Sequence, residues 1–126
     1  MGSFQVNVRV ANLSSPQRFF EEKFWVDTGA IYSSVPEDKL DAIGLAAFGA
    51  RKYLLADGRR GQLRIGAGLF EIEGISEQVP CPVIFAPPGS PCLLGATALE
   101  NFGLDVDPTA MKLKPTTSIM AGSVAC

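Results

Sequence analysis

A chain of 126 residues, 47% apolar and 19% charged, is long enough for one compact domain and too apolar to stay disordered. Its net charge of −2, without a basic stripe or arginine-rich run, argues against a nucleic-acid partner, and no apolar run approaches the roughly 20 residues of a membrane span. The sequence has no histidine, which excludes Ser-His-Asp and Cys-His catalysis as usually built and removes the commonest metal ligand.

The start, Met1 to Val6, lacks a basic segment followed by an apolar core, so it is not a secretory signal. Val6 stands where a myristoylation motif needs Ser or Thr. The expected location is the cytoplasm, either as a free protein or as a piece released from a longer precursor. Cys81, Cys92 and Cys126 are odd in number and widely spaced, unlike a disulfide framework or a zinc site. They are expected as two small buried side chains and one thiol on a tail.

Phe4 to Val10 alternates strictly between apolar and polar residues, the pattern of a half-buried strand. Asn12 to Pro16 is a turn, and the aromatic-rich run Arg18 to Val26 is a second strand. Asp27 to Ala30 breaks it, and Ile31 to Val35 resumes as a short strand. Pro36 to Leu45 predicts a short helix, with proline at the first helical position, acids in the first turn and Gly44 at the stop. Arg51–Ala56 and Gly61–Ile65 are predicted as strands joined by Asp57-Gly58-Arg59-Arg60, whose Asp-Gly pair signals a hairpin. Leu69 to Glu73 alternates again. Val79 to Phe85 is a further strand placed at an edge or bulge by Pro80 and Pro82. Cys92-Leu93-Leu94 is a short buried strand, and Gly95 to Phe102 a second helix stopped by Gly103. Leu104–Val106 and Met111–Leu113 flank a hairpin turn, and residues 116–126 are expected to be a disordered tail. The sum is a mostly-β domain over residues 1–115, a small closed or folded-over sheet with one or two short helices.

The informative segment is Phe24-Trp25-Val26-Asp27-Thr28-Gly29-Ala30, where an acid follows three large apolar residues directly. Asp-Thr-Gly is also ordinary turn chemistry and arises by chance in roughly a few per cent of chains this long. A second landmark is Leu93-Leu94-Gly95 leading into a helix, where a glycine lets another backbone approach closely. Between them lies the hairpin tip around Asp57-Gly58, able to cover a cleft.

In this order the blocks resemble the retroviral-type (retropepsin-like) aspartic proteases, especially their bacterial single-domain relatives. The resemblance covers about residues 4 to 114. It rests on Val26–Ala30 followed by Ser33, Val35 and Pro36, on Ala56-Asp57-Gly58 in the place of the flap, and on Leu93-Leu94-Gly95 followed by Leu104 to Pro108. It implies an endopeptidase that needs no cofactor and no metal, active as a homodimer on an extended peptide or protein substrate. Asp27 would be the catalytic acid/base, shared across the two-fold axis with its copy. Thr28 would lock the two loops together, and Gly29 and Ala30 would floor the substrate. Asp57, Gly58, Arg59, Arg60 and Gly61 would form the flap tip. Leu93, Leu94 and Gly95 would support the loop from beneath. The chain departs from the retroviral pattern at Ala96, where an arginine usually helps hold the dimer, and at the charged Arg59 and Arg60 of the tip. The alternative from another class is an idle protease-like module that dimerises or binds peptides without cutting.

The other acids have plainer readings. Asp57 is a turn former, Asp105 and Asp107 bracket a solvated hairpin, and Glu71 and Glu73 share one face of a strand. Such a pair is also the raw material of a glycosidase site.

Overall fold

The computed structural model describes residues 3–54 and 57–116. Among these residues, nine strands and two helices follow one another as β1 (Gln5–Ala11), β2 (Phe19–Val26), β3 (Ser33–Pro36), α1 (Glu37–Ala42), β4 (Ala47–Leu54), β5 (Arg60–Ile72), β6 (Gln78–Ala86), β7 (Leu93–Leu94), α2 (Ala96–Phe102), β8 (Leu104–Asp107) and β9 (Lys112–Pro115). Seven strands form one sheet in the order β1-β2-β7-β3-β6-β5-β4, and β1 also pairs with β5. The extra pairing turns the sheet back on itself into a ring, with β4 hanging from β5 outside it. β8 and β9 form a separate hairpin.

The alternation of β1 explains its double role. Val8 and Val10 are buried, while the strand edges pair with β2 from Gln5↔Trp25 to Ala11↔Phe19 and with β5 from Val8↔Ile72 to Ala11↔Leu69. The core between the layers holds Phe24, Phe70, Phe85, Leu40, Leu94 and their neighbours. Each such side chain contributes about 1.5–3 kcal/mol by leaving water. Phe24 and Phe70 meet edge to face, with ring centroids 6.1 Å apart. Cys81 and Cys92 are buried among these residues. Burial pushes the Cys81 thiol up to about 12 and that of Cys92 to about 11, so both stay protonated and inert at neutral pH. Cys126 and the rest of the expected tail after Thr116 lie outside the described residues.

Three expectations are sharpened by the structure. Pro36 does not open α1; it is extended (φ −51°, ψ 134°) and closes β3 in register with Ala86, so the helix starts one residue later. The stop is as expected: Gly44 has φ 70° and its N–H reaches the Asp41 carbonyl at 2.9 Å. The strands expected at Gly61–Ile65 and Leu69–Glu73 are one continuous strand of 13 residues. Gly66 and Gly68 act as clearances within it, since a Cβ on Gly66 would lie 2.6 Å from the Ala46 carbonyl oxygen. The prolines of β6 sit where only β5 flanks them, opposite Leu69 and Ala67, because pairing with β3 begins at Val83. That stretch is locally an edge, and the Pro80 carbonyl accepts from Asn101 Nδ2 at 3.3 Å. No helix among the described residues is long and apolar enough to cross a membrane.

Candidate active site

β2 alternates to its end: Phe24 and Val26 enter the core, whereas Trp25 remains 39% exposed. Asp27 follows at the point where the strand leaves the sheet. Its N–H donates to the Leu94 carbonyl at 3.0 Å, and the Trp25 N–H donates to the Cys92 carbonyl at 2.9 Å. β7 is parallel to β2 on one side and antiparallel to β3 on the other. The two apolar residues Leu93 and Leu94 therefore run between the strands that enter and leave the Asp27 loop.

The loop is closed by its own side chain. Asp27 Oδ1 accepts from the Gly29 N–H at 3.0 Å, and the Asp27 carbonyl accepts from the Ala30 N–H at 3.2 Å. A Cβ on Gly29 would sit 3.3 Å from that same Oδ1, so glycine suits the close approach. Beneath, the first turn of α2 has no side-chain cap. Its free N–H groups go to the loop instead: Ala96 to the Ala30 carbonyl at 2.8 Å and Thr97 to the Ile31 carbonyl at 2.9 Å. Gly95 lies flat against the loop. A Cβ there would fall 2.6 Å from the carbonyl carbon and oxygen of Tyr32 and 2.9 Å from the Ala30 oxygen. The Gly95 N–H donates to Ser33 Oγ, a fully buried hydroxyl, at 3.1 Å. Asp27 and Ala30 are half-buried, Thr28 and Gly29 are exposed, and Ile31 is 69% exposed. The segments Asp27–Ala30 and Leu93–Gly95, 62 residues apart at the Ser33–Gly95 bond, are thus one interlocked unit.

The hairpin end is a different environment. Gly58 takes φ 88°, and Asp57 accepts from the Arg59 N–H at 3.0 Å and pairs with Arg59 Nε at 2.7 Å. The Arg59 backbone N–H, then its side chain, hold the Asp57 carboxyl below its ordinary range. Asp57 is thereby occupied within its own turn. Arg60 pairs across with Leu54, and Gly61 with Tyr53. Residues Asp57 to Gly61 make no hydrogen bond to the Asp27 loop. The arm of the hairpin does reach it: Arg51 Nε donates to Tyr32 Oη at 3.4 Å, with the guanidinium 5.6 Å from the ring centroid.

Glu71 and Glu73 lie elsewhere, along a cavity of about 560 Å³ on the outer surface of β1, β2 and β5. Arg9, Glu21 and Lys23 line it too, so the charges are mixed. Gln78 donates to Glu71 at 3.2 Å and Asn7 to Glu73. Asp107 caps its hairpin turn by accepting from the Thr109 and Ala110 N–H groups at 3.1 Å. Among the described residues, no three His, Cys, Asp or Glu side chains gather where a metal ion could be held.

No family model matches the sequence, and no curated protein sequence matches it significantly. Solved structures do. The protease of Simian foamy virus (mac) aligns over 77% of this chain and 92% of its own, with a TM-score of 0.55 and 18% identity. The fold is retropepsin-like. A foamy viral protease–reverse transcriptase aligns over 92% of this chain at a TM-score of 0.53 and 15% identity, and this chain spans 13% of its length. A retropepsin-like aspartic protease from Rickettsia conorii aligns over 84% of this chain and 85% of its own, with a TM-score of 0.49 and 23% identity.

On this retropepsin-like frame, Ala96 supplies a backbone N–H to the loop and no side-chain charge. Three residues at the site carried no role in the sequence reading. Ser33 was visible only as part of a motif, although a serine amid Val and Pro is an available signal. Tyr32 and Arg51 meet only in the folded chain, and nothing local in the sequence marks that contact.

Proposed function

We propose that the chain is an aspartic endopeptidase in which Asp27 of one copy and Asp27 of a second form the catalytic pair. The observation that carries this reading is the Asp27-Thr28-Gly29 loop itself: one carboxylate, half-buried, braced from below by Gly95 and α2 and open on its outer side. A lone carboxylate lacks a partner acid for proton transfer, and Ile31, 69% exposed beside it, is an apolar surface that a second copy would cover. Two such loops meeting at a two-fold axis bring two carboxyl groups together, and like charges that close retain one proton between them. The ionised member takes a proton from a water, which attacks the peptide carbonyl carbon. The protonated member hydrogen-bonds the carbonyl oxygen and then supplies the proton for the departing amine. Thr28, exposed at the tip of the loop, lies where the copies would touch.

The test is subunit mixing. Asp27→Asn nearly preserves shape while removing the titrating group, so it abolishes cleavage of an unstructured protein. Mixed in equal amounts with wild type under conditions of subunit exchange, it leaves about a quarter of the pairs fully wild-type, so activity falls to about a quarter. Sites contained in single chains would leave about half. A linear dependence on the wild-type fraction, with exchange confirmed, overturns the shared pair. A wild-type protein that binds peptides and cuts none points to the idle module.

A further inference from the structure

Strand register sorts the cations of the hairpin by face. Paired residues run Trp25–Leu93–Ser34–Ile84–Ile65–Gly49 across β2, β7, β3, β6, β5 and β4. Their neighbours Val26, Leu94, Val35, Val83 and Phe85 all pack into the core, so the row lies on the opposite face of the sheet. Side chains alternate along strands. Arg51 and Tyr53, two and four beyond Gly49 along β4, belong to the face of the row. Asp27 follows directly on the end of β2, and Tyr32 directly precedes β3.

Contacts agree with the alternation. Arg51 meets Tyr32 through the 3.4 Å hydrogen bond, and a Cβ on Gly49 would lie 3.7 Å from Arg51 Nη1 and 3.8 Å from Ile65. The Tyr53 ring lies across Gly61 on the same side. Lys52 and Arg60 fall on the other face with Arg64, which turns to Asp41 at 3.1 Å and to the Phe85 ring at 4.2 Å. Arg59 is occupied by Asp57. Arg51 has no carboxylate partner among the described residues; its Nη1 donates only to the Ala50 carbonyl, at 3.0 Å.

We propose that Arg51, held against Tyr32 by its hydrogen bond to the hydroxyl, is the specificity-determining cation of the site and receives an Asp or Glu side chain of the peptide substrate. The proposal rests on the peptidase reading above and places an acidic preference at Arg51 rather than at the charged tip residues Arg59 and Arg60. A guanidinium offers a planar fork that takes both carboxylate oxygens. The hydrogen bond from Nε to the Tyr32 hydroxyl restrains the guanidinium, so less freedom is lost when the carboxylate arrives. Arg51 is exposed, so the attraction weakens with salt.

The experiment uses peptide pairs that differ only by Glu or Gln at each position flanking the cleaved bond. The wild type is expected to cut the Glu member about three- to fivefold faster at one position, the upper end of what an exposed ion pair contributes. Arg51→Ala collapses that ratio to within about twofold, and Arg51→Lys, a point charge without the fork, keeps part of it. Arg60→Ala keeps the ratio. No Glu preference in the wild type, a ratio that survives Arg51→Ala, or one lost in Arg60→Ala overturns the proposal. The same peptides are also titrated by fluorescence anisotropy against Asp27→Asn protein, with and without Arg51→Ala. That arm decides the role of Arg51 without turnover: a Glu preference that needs Arg51 supports it, and equal binding of both peptides, or of neither, refutes it. Absence of cleavage with an Arg51-dependent preference in binding would refute the peptidase reading alone.

Discussion

The loop after β2 and the turn between β4 and β5 are both short runs of Asp and Gly, yet different forces hold them. At the loop, five hydrogen bonds pair backbone groups: Asp27 with Leu94 and Ala30, Ala30 with Ala96, Ile31 with Thr97, and Gly95 with the buried Ser33 hydroxyl. At the hairpin, every residue of β4 is exposed, and among the described residues the turn is tied by Asp57, which accepts from the Arg59 N–H and pairs with its side chain, both partners more than half exposed. Exposed pairs contribute little, about 0–1 kcal/mol, whereas a buried donor left without its acceptor costs about 1–3 kcal/mol. One region is fixed by what it cannot leave unpaired; the other keeps its freedom because water can replace what holds it.

The contrast can be broken most forcefully at Gly95. Gly95→Ala puts a methyl group 2.6 Å from backbone atoms of Tyr32 that cannot turn aside. It should cost about 3 kcal/mol or more and lower the melting temperature by about 10–20 °C. An unchanged thermal melt would mean that the loop yields as easily as the hairpin. Ser33→Ala is the next step down. It strands the Gly95 N–H in a buried place, so urea unfolding should show a loss of about 1–3 kcal/mol with little change in the slope. The smallest effect belongs to the hairpin. Leu54 is 64% exposed, and Leu54→Ser should change stability by less than about 0.5 kcal/mol. In hydrogen exchange, amides of β4 should open well before those of β1 and β2, and equal protection would erase the distinction.

Local chemistry made much of this legible. The alternation of Phe4 to Val10 marks β1, and Gly44 and Gly103, at φ 70° and 67°, end their helices where the sequence puts the stops. Asp-Gly marks the turn because Gly58 takes φ 88° at no cost. The segments around Asp27 and Gly95 were identifiable in sequence, and the chain brings them together. The misread places are those where distant packing decides. Gly66 and Gly68 look like punctuation along the chain and are clearances in space, made for Leu45 and Ala46. The double pairing of β1 follows from ring closure, which no window of sequence contains. Tyr32 and Arg51, 19 residues apart, become neighbours only in the folded chain.

The bond from Gly95 to Ser33 also sets an order of events. Its partners are separated by 62 residues, and closing a loop of that length costs about 4 kcal/mol of chain entropy beyond a constant. β1 and β2 can pair as soon as the first strands exist, but the floor under Asp27 is made of Leu94, Gly95 and the start of α2. On a ribosome that segment emerges late, after the hairpin and β6. The acid is therefore synthesised early and receives its scaffold near the end, and a nascent chain truncated before Gly95 would carry the Asp-Thr-Gly sequence without the geometry to use it.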